Sequence, residues 1–357
     1  MRGALPTWQC DPVTGAWSIV APLRAARPEE YGLGRPRPAG SVRRPPDCPF
    51  CEGHEARTPP ELDVVRARSS EPNGVGWRFR AFRNRFPTFE PTRNGATTKS
   101  DRGTGPRASS ARLPVPPAGA RAVGHHEVIV ETPRHDRPIG VRPVREIAAL
   151  LEFYQRRLVA AESRFPRGSA LLFRNQGPRS GGSLAHPHAQ LVAAPFVFPT
   201  LAAELARARP GLRAGRRRTC ALEADVRLAE RRRSVVVRRG GITAYVPGAG
   251  TGGFSVRLVP STHAPSFTEA TSSELRDLAA VVRAVLPSLE RSDPTGSTNF
   301  WIHSLPAGTP ANRAFHWHAE AVSRAPDPDG FELSSRVAVR TLEPRAIADR
   351  LRGGFAR

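Results

Sequence analysis

Lysine is almost missing from this chain. Lys99 stands alone among 54 basic residues, so the formal charge of +22 is carried by arginine. Arginine, alanine, proline and glycine together dominate the composition, the bias of a GC-rich genome rather than of a phosphate-binding face. No helix-turn-helix, RNP or paired zinc-finger pattern accompanies the charge, so no specific nucleic-acid partner is expected. Arg216-Arg217-Arg218 and Arg231-Arg232-Arg233 read as solvated faces, although such a field favours an anionic substrate. Long apolar runs are also missing. Nothing approaches the eighteen residues a membrane helix needs, and no membrane partner is expected. Cysteine is scarce: Cys10, Cys48, Cys51 and Cys220 are too few for a disulfide framework. The first eight residues lack the apolar core of a signal peptide, and the expected compartment is the cytoplasm.

What is present is 357 residues with 39% hydrophobic content, enough for one large or two modest cores. The chain also repeats itself. A β-like run Glu127-Val128-Ile129-Val130 leads to His135. It is followed by a helical pattern over 145–165 with Ile147, Leu150, Leu151, Tyr154 and Leu158 on one face. A strand over Ala170–Phe173, a glycine-rich loop and His186-Pro187-His188-Ala189-Gln190 complete the unit. The second half repeats the order: Ser255 to Val259, His263, a helix over Ser273–Leu289, a strand over Asn299–Ile302, then His316-Trp317-His318. His135 and His186 lie 51 positions apart; His263 and His316 lie 53 apart. The fold expected is α+β, with each half a mostly antiparallel sheet carrying packed helices. The division is expected near Phe196 to Leu201, giving halves 1–196 and 197–357. Residues 91–121 read as a surface insert, and 24–46 as proline-rich and irregular.

The histidine run carries the chemistry. On a strand, His186 and His188 share a face, as does Gln190. The preceding stretch, Asn175 to Ser183, is rich in glycine, which lets backbone N–H groups approach a phosphate. An imidazole placed there can attack an α-phosphorus and form a covalent nucleotidyl-histidine. The bland alternative is that both histidines only bind metal. Cys48-Pro49-Phe50-Cys51 is half of a tetrahedral zinc site. With no second Cys-x-x-Cys, histidines must complete it; His135 and His186 are candidates, and His54 competes. A redox role for the thiols is weaker, since no βαβ unit surrounds them.

Taken together, these residues resemble the galactose-1-phosphate uridylyltransferase family of the histidine-triad superfamily. The likeness runs from Asp11-Pro12-Val13-Thr14-Gly15-Ala16-Trp17 through Cys48–Cys51, Asn84-Arg85-Phe86-Pro87 and Asn175–Gln190 to Gly330-Phe331-Glu332-Leu333 and the helix Glu343–Leu351. It implies two histidine-triad-like repeats, a homodimer, and ping-pong transfer between a nucleotide sugar and a sugar phosphate. By position, His188 resembles the nucleophile and Gln190 the group that steadies the phosphoryl oxygens. Cys48, Cys51, His135 and His186 look like the zinc ligands. Asn84, Asn175, Gly181 and Ser183 look like nucleotide and phosphate contacts, and Phe331 and Glu332 like hexose contacts. Arg24 and Arg27 are similar to a pair that reaches phosphate from the partner subunit. Some members bind a second metal, iron or zinc; Glu204, His303, His316 and His318 stand where its ligands would be. Buried, hydrogen-bonded histidines are the alternative for that group.

Two departures narrow the reading. Galactose-1-phosphate enzymes carry a basic residue before the Gly-aromatic-Glu motif, where this chain has Ala325-Pro326-Asp327-Pro328-Asp329. Cys220 lacks the neighbouring thiolate that certain relatives use for a second zinc. The implied activity is UDP-glucose–hexose-1-phosphate uridylyl transfer. The alternatives are an ADP-sugar phosphorylase or adenylyltransferase, and a catalytically silent protein that binds nucleotide or nucleic acid.

Overall fold

The computed structural model describes residues 7–20, 44–67, 70–91, 122–208, 220–250, 253–306, 309, 315–324 and 327–356. For 7–9, 17–20, 90, 91 and 356 only the backbone is described. The proline-rich stretch up to 43, the insert after 91, and Arg24, Arg27 and Arg216–Arg218 lie outside these residues.

The chain opens with a hairpin, β1 (Thr7–Cys10) and β2 (Trp17–Val20). Next come β3 (Glu61–Arg66), β4 (Trp77–Arg83), the short β5 (Glu90–Pro91) and β6 (Val123–Val130). Helix α1 (Val144–Glu162) precedes β7 (Ser169–Gln176) and β8 (His188–Ala194). Two helices, α2 (Pro199–Arg207) and α3 (Ala221–Arg231), lead into the second half. That half runs β9 (Val235–Arg239), β10 (Ile242–Tyr245), β11 (Ser255–Pro260), α4 (Ser272–Ser292), β12 (Thr298–His303) and β13 (His318–Ser323). It closes with α5 (Gly330–Ser335), β14 (Ala338–Arg340) and α6 (Pro344–Gly353).

One large sheet spans both halves, in the order β3-β4-β6-β8-β7-β12-β13-β11-β10-β9. The second half mirrors the first. Strands β6, β7 and β8 correspond to β11, β12 and β13, and the copies meet where β7 pairs antiparallel with β12. The α+β class is as expected, and the antiparallel strands of the two halves join in one sheet. The first hairpin lies far from its sequence neighbours: β2 pairs with β14, and Asp11 accepts from Arg257 at 2.7 Å.

Side-chain parity explains the layers. On β8, Ala189, Leu191 and Ala193 face α1, and on β13 Ala319 and Ala321 lie in the same core. Small residues there let the helices approach closely, while Ile147, Leu150, Leu151, Tyr154 and Leu158 of α1 are all buried. Helix α4 supplies Leu278, Val282 and Leu286 to that core and starts at a capping box of Thr271 and Glu274. Each such side chain contributes about 1.5–3 kcal/mol by leaving water. The alternate residues, His188 and Gln190 on β8 and His126 and Val128 on β6, fall on the opposite face. The sheet thus separates the main core from a face on which His188 and Gln190 stand beside a smaller apolar cluster of Phe50, Phe82 and Val128.

Candidate active site

The zinc-type cluster sits at the end of β8. Cys48, Cys51, His135 and His186 each offer a ligand atom, all within 4.8 Å of one another. His186 Nδ1 lies 3.6 Å from both Sγ atoms, and His135 Nδ1 lies 4.0 Å from that of Cys51. Zinc with Zn–S about 2.3 Å and Zn–N about 2.0 Å at a tetrahedral angle separates sulfur and nitrogen by about 3.6 Å. The donor set therefore fits zinc. His186 Nε2 donates to the Thr132 carbonyl at 2.7 Å, which leaves the lone pair on Nδ1, facing the thiols. Burial, aided by the neighbouring Cys48, pushes the Cys51 thiol up to about 12, so metal binding must displace its proton. His54 does not join the cluster; its Nδ1 bonds to the Cys48 carbonyl at 2.7 Å.

Strand β8 begins at His188, so His186 belongs to the turn before it rather than to the strand. His188 Nδ1 donates to the His186 carbonyl at 2.8 Å. A neutral imidazole bonded this way keeps its proton on Nδ1 and presents a bare Nε2. Burial lowers the His188 pKa and favours the neutral ring. The Phe50 ring stands at 65° to the imidazole, with centroids 5.3 Å apart. Behind His188 is Glu131, wholly buried. It accepts from Tyr154 at 2.7 Å, Arg174 at 2.9 Å and Arg142 at 3.0 Å. Burial would raise its pKa, but Arg174 and Arg142 hold it below the ordinary carboxylate range. A fixed negative charge near His188 stabilises any positive charge that develops on the ring.

Gln190 Oε1 lies 2.8 Å from His126 Nε2 and 3.5 Å from Asn84 Nδ2. The loop after β7 turns at Gly177 and Gly181, both with positive φ, +87° and +85°. Asn175 Oδ1 accepts from Asn299 Nδ2 at 2.7 Å, and Asn299 Nδ2 also reaches the Ser180 carbonyl at 2.9 Å. Ser183 is exposed beyond that turn. Phe331 and Glu332 lie on the exposed helix α5, where Glu332 forms a capping box with Asp329. In this single chain neither joins the hydrogen-bond network around His188.

The mirrored site in the second half is built differently from the expectation. Glu204, His303 and His318 form one compact group, and His303 Nδ1 lies 2.8 Å from Glu204 Oε1. His316 is not part of it. It groups with Cys220, Glu223 and His263, with Nδ1 3.7 Å from Cys220 Sγ. This is the counterpart of the Cys48, Cys51, His135 and His186 cluster, with a carboxylate for the second thiolate, so Cys220 is less isolated than its sequence context suggests. His318, the mirror of His188, is fully buried, and burial pushes its pKa down to about 3. His318 Nε2 and Glu204 Oε2 are buried without hydrogen-bond partners, as atoms awaiting a metal would be.

Sequence reasoning missed Glu131, His126 and Asn299. His126 lies within a strand-like run and Glu131 directly follows it, and Asn299 sits 124 positions from the Asn175 it binds. The repeat was the available signal, since Asn299 occupies the strand that mirrors β7.

Known proteins are similar to this chain in sequence and in fold. Residues 122–196, covering β6 to β8, match the model of the Domain of unknown function (DUF4931) N-terminal domain. ADP-glucose phosphorylase of Arabidopsis thaliana is 26% identical over 350 residues, 97% of this chain and 92% of that protein. Galactose-1-phosphate uridylyltransferase of Thermotoga maritima is 23% identical over 282 residues, 79% of this chain and 74% of the other. The crystal structure of an ADP-glucose phosphorylase from Arabidopsis thaliana with bound ADP-glucose superposes with a TM-score of 0.75 at 23% identity, covering 98% of both chains. The chain is thus a homologue of the galactose-1-phosphate uridylyltransferase-like proteins and has their fold.

Proposed function

We propose that this protein is a nucleotidyltransferase that takes a nucleotidyl group from a nucleotide sugar onto His188. The observation that carries the reading is the His188 tautomer: Nδ1 is committed to the His186 carbonyl and Nε2 is left bare. In the first step, Nε2 attacks the α-phosphorus, and the bond from that phosphorus to the bridging oxygen breaks. Sugar 1-phosphate leaves with the electron pair. In the second step an acceptor oxyanion attacks the same phosphorus, and the phosphorus–nitrogen bond breaks to free the ring. Gln190 and Asn84 donate to the phosphoryl oxygens, the glycine-rich loop offers backbone N–H groups, and Glu131 steadies the charged ring. Zinc, when bound, fixes His186 and through its carbonyl the proton on His188.

Two donors divide the reading. UDP-glucose with a hexose 1-phosphate acceptor corresponds to the uridylyltransferases. ADP-glucose with phosphate as acceptor corresponds to the phosphorylase, and the missing basic residue before Gly330-Phe331-Glu332 favours it. We assign Phe331 and Glu332 to the hexose, and Arg24 and Arg27 to the phosphate that they reach from the partner subunit of a homodimer. Incubation with each nucleotide sugar, labelled at the α-phosphorus, should leave acid-labile label on wild-type protein and none on His188→Asn. Label on the variant, or on neither protein, would overturn the covalent mechanism. Release of ADP on adding phosphate, against UDP-hexose on adding hexose 1-phosphate, separates the two donors.

A further inference from the structure

The orientation of Gln190 is fixed by a residue outside the histidine run. His126 and Gln190 are diagonal neighbours on the open face of the sheet, since His126 pairs with Val192 and Val128 with Gln190. The backbone N–H of Thr88 lies 3.0 Å from His126 Nδ1. A peptide N–H can only donate, so Nδ1 must be the accepting nitrogen. In a neutral ring the proton then sits on Nε2, 2.8 Å from Gln190 Oε1. Burial lowers the His126 pKa, in keeping with the neutral ring.

A second chain of obligate donors ends at the same oxygen. The Phe86 N–H donates to Asn84 Oδ1 at 2.8 Å, which turns Asn84 Nδ2 inward. Nδ2 lies 3.5 Å from Gln190 Oε1 and 3.0 Å from His126 Nε2. The shorter separation is that of two donors converging on one acceptor. Gln190 Nε2 has no partner among the described residues, and period-two alternation puts it on the face of His188.

We infer that His126 is a positioning residue: through the Thr88 N–H it holds Gln190 with its carbonyl oxygen turned to the wall and its NH₂ toward the phosphoryl group. This rests on the proposed nucleotidyl transfer for its kinetic consequence, but not for its geometry. A glutamine amide free to flip would present oxygen to a phosphate half the time and repel it. A locked amide is preorganised for the charge that grows in the transition state, so the effect belongs to the rate rather than to ground-state binding.

The test has two parts. In wild-type protein labelled with ¹⁵N-histidine, the His126 resonance, identified by its loss in His126→Phe, should report a proton on Nε2 and none on Nδ1. The opposite tautomer overturns the inference whatever the activity. In single-turnover formation of the labelled intermediate, His126→Phe should lose about 10- to 100-fold in rate while KM changes by less than about threefold. His126→Gln, which keeps a donor at the Nε2 position, should recover most of the rate. On a Gln190→Ala background, His126→Phe should cost nothing further. An unchanged rate in His126→Phe, or an equal loss on both backgrounds, would overturn the role. If wild-type protein takes no label from either nucleotide sugar, the proposed function fails, while the tautomer still decides the geometry.

Discussion

Asn299 Nδ2 donates to Asn175 Oδ1 at 2.7 Å, so a residue of the second half orients one near the end of β7 in the first. The same nitrogen reaches the Ser180 carbonyl at 2.9 Å and closes the glycine-rich turn. With its oxygen engaged, Asn175 turns its own Nδ2 toward Gly181. Asn299→Ala should leave the loop without this brace. If the glycine-rich loop binds phosphate as proposed, losing one well-made hydrogen bond to it costs about 1.4 kcal/mol, a factor of about ten in affinity. KM for the nucleotide sugar should therefore rise about tenfold, with the melting temperature lowered by only a few degrees. Steady-state kinetics with thermal melting checks this, and an unchanged KM would mean that the loop holds its shape unaided.

Metal content should follow the two mirrored clusters. Cys48→Ser removes a thiolate from the first, so purified protein should lose about one equivalent of zinc by elemental analysis. It should also lose labelling of His188, because the His186 carbonyl that fixes the ring is no longer anchored. Glu223→Ala should weaken metal binding at the second cluster and leave labelling intact, since its neighbour His316 serves the buried, mirrored histidine. If chelation strips all metal from the wild type with no loss of labelling or stability, neither cluster anchors its histidine through a metal.

Much of this was legible in the residues. The helix face of α1 and the repeat follow from periodicity, and donor chemistry made His135 and His186 candidates beside Cys48 and Cys51, with His54 set aside only by the family resemblance. The separation of His316 from His318 was not. Spacing places two imidazoles side by side, but His318 lies on β13 while His316 precedes it, and their rings serve different groups. The same limit hid Glu131: a lone glutamate after an apolar strand gains its role only once Tyr154, Arg142 and Arg174 converge on it. Helices packed against the sheet decided both cases: Tyr154 of α1 reaches Glu131, Glu204 of α2 reaches His303, and Glu223 of α3 joins the His316 group.

Acid should weaken the fold through those buried carboxylates whose pKa is depressed, Glu127 among them. Burial would raise the Glu127 pKa, but the hydrogen bonds from His125 and Arg157, with the charge of Arg157, hold it below its ordinary value of 4.5. A carboxylate depressed in the folded state stabilises fully above its unfolded pKa, and that contribution is lost as pH falls through the folded value. Glu127→Gln breaks a pair whose Arg157 nitrogen is 2.7 Å away, and at pH 7 it should cost about 3 kcal/mol. The gap between wild type and variant should narrow below pH 4.5. Urea unfolding at several pH values measures this, and a gap that widens in acid would reverse the assignment.

Gly177 and Gly296 both adopt positive φ, +87° and +64°, yet they should respond differently to a methyl group. At Gly177 a Cβ would lie 2.7 Å from the Ser297 Cα, where backbone must move to admit it. At Gly296 it would meet nothing within 4 Å. Gly296→Ala therefore faces only the left-handed backbone cost, about 1 kcal/mol. Gly177→Ala adds a clash with the backbone just before β12, and the sum should reach about 3 kcal/mol. The consequence is functional as well, since displacing Ser297 disturbs the 3.0 Å bond from the Arg179 N–H to its hydroxyl. Gly177→Ala should lose nucleotide-sugar turnover at temperatures where Gly296→Ala keeps it, as paired melting curves and activity profiles would show. Equal behaviour of the two variants would mean that the glycine is required for its φ alone, and not for the contact between the halves.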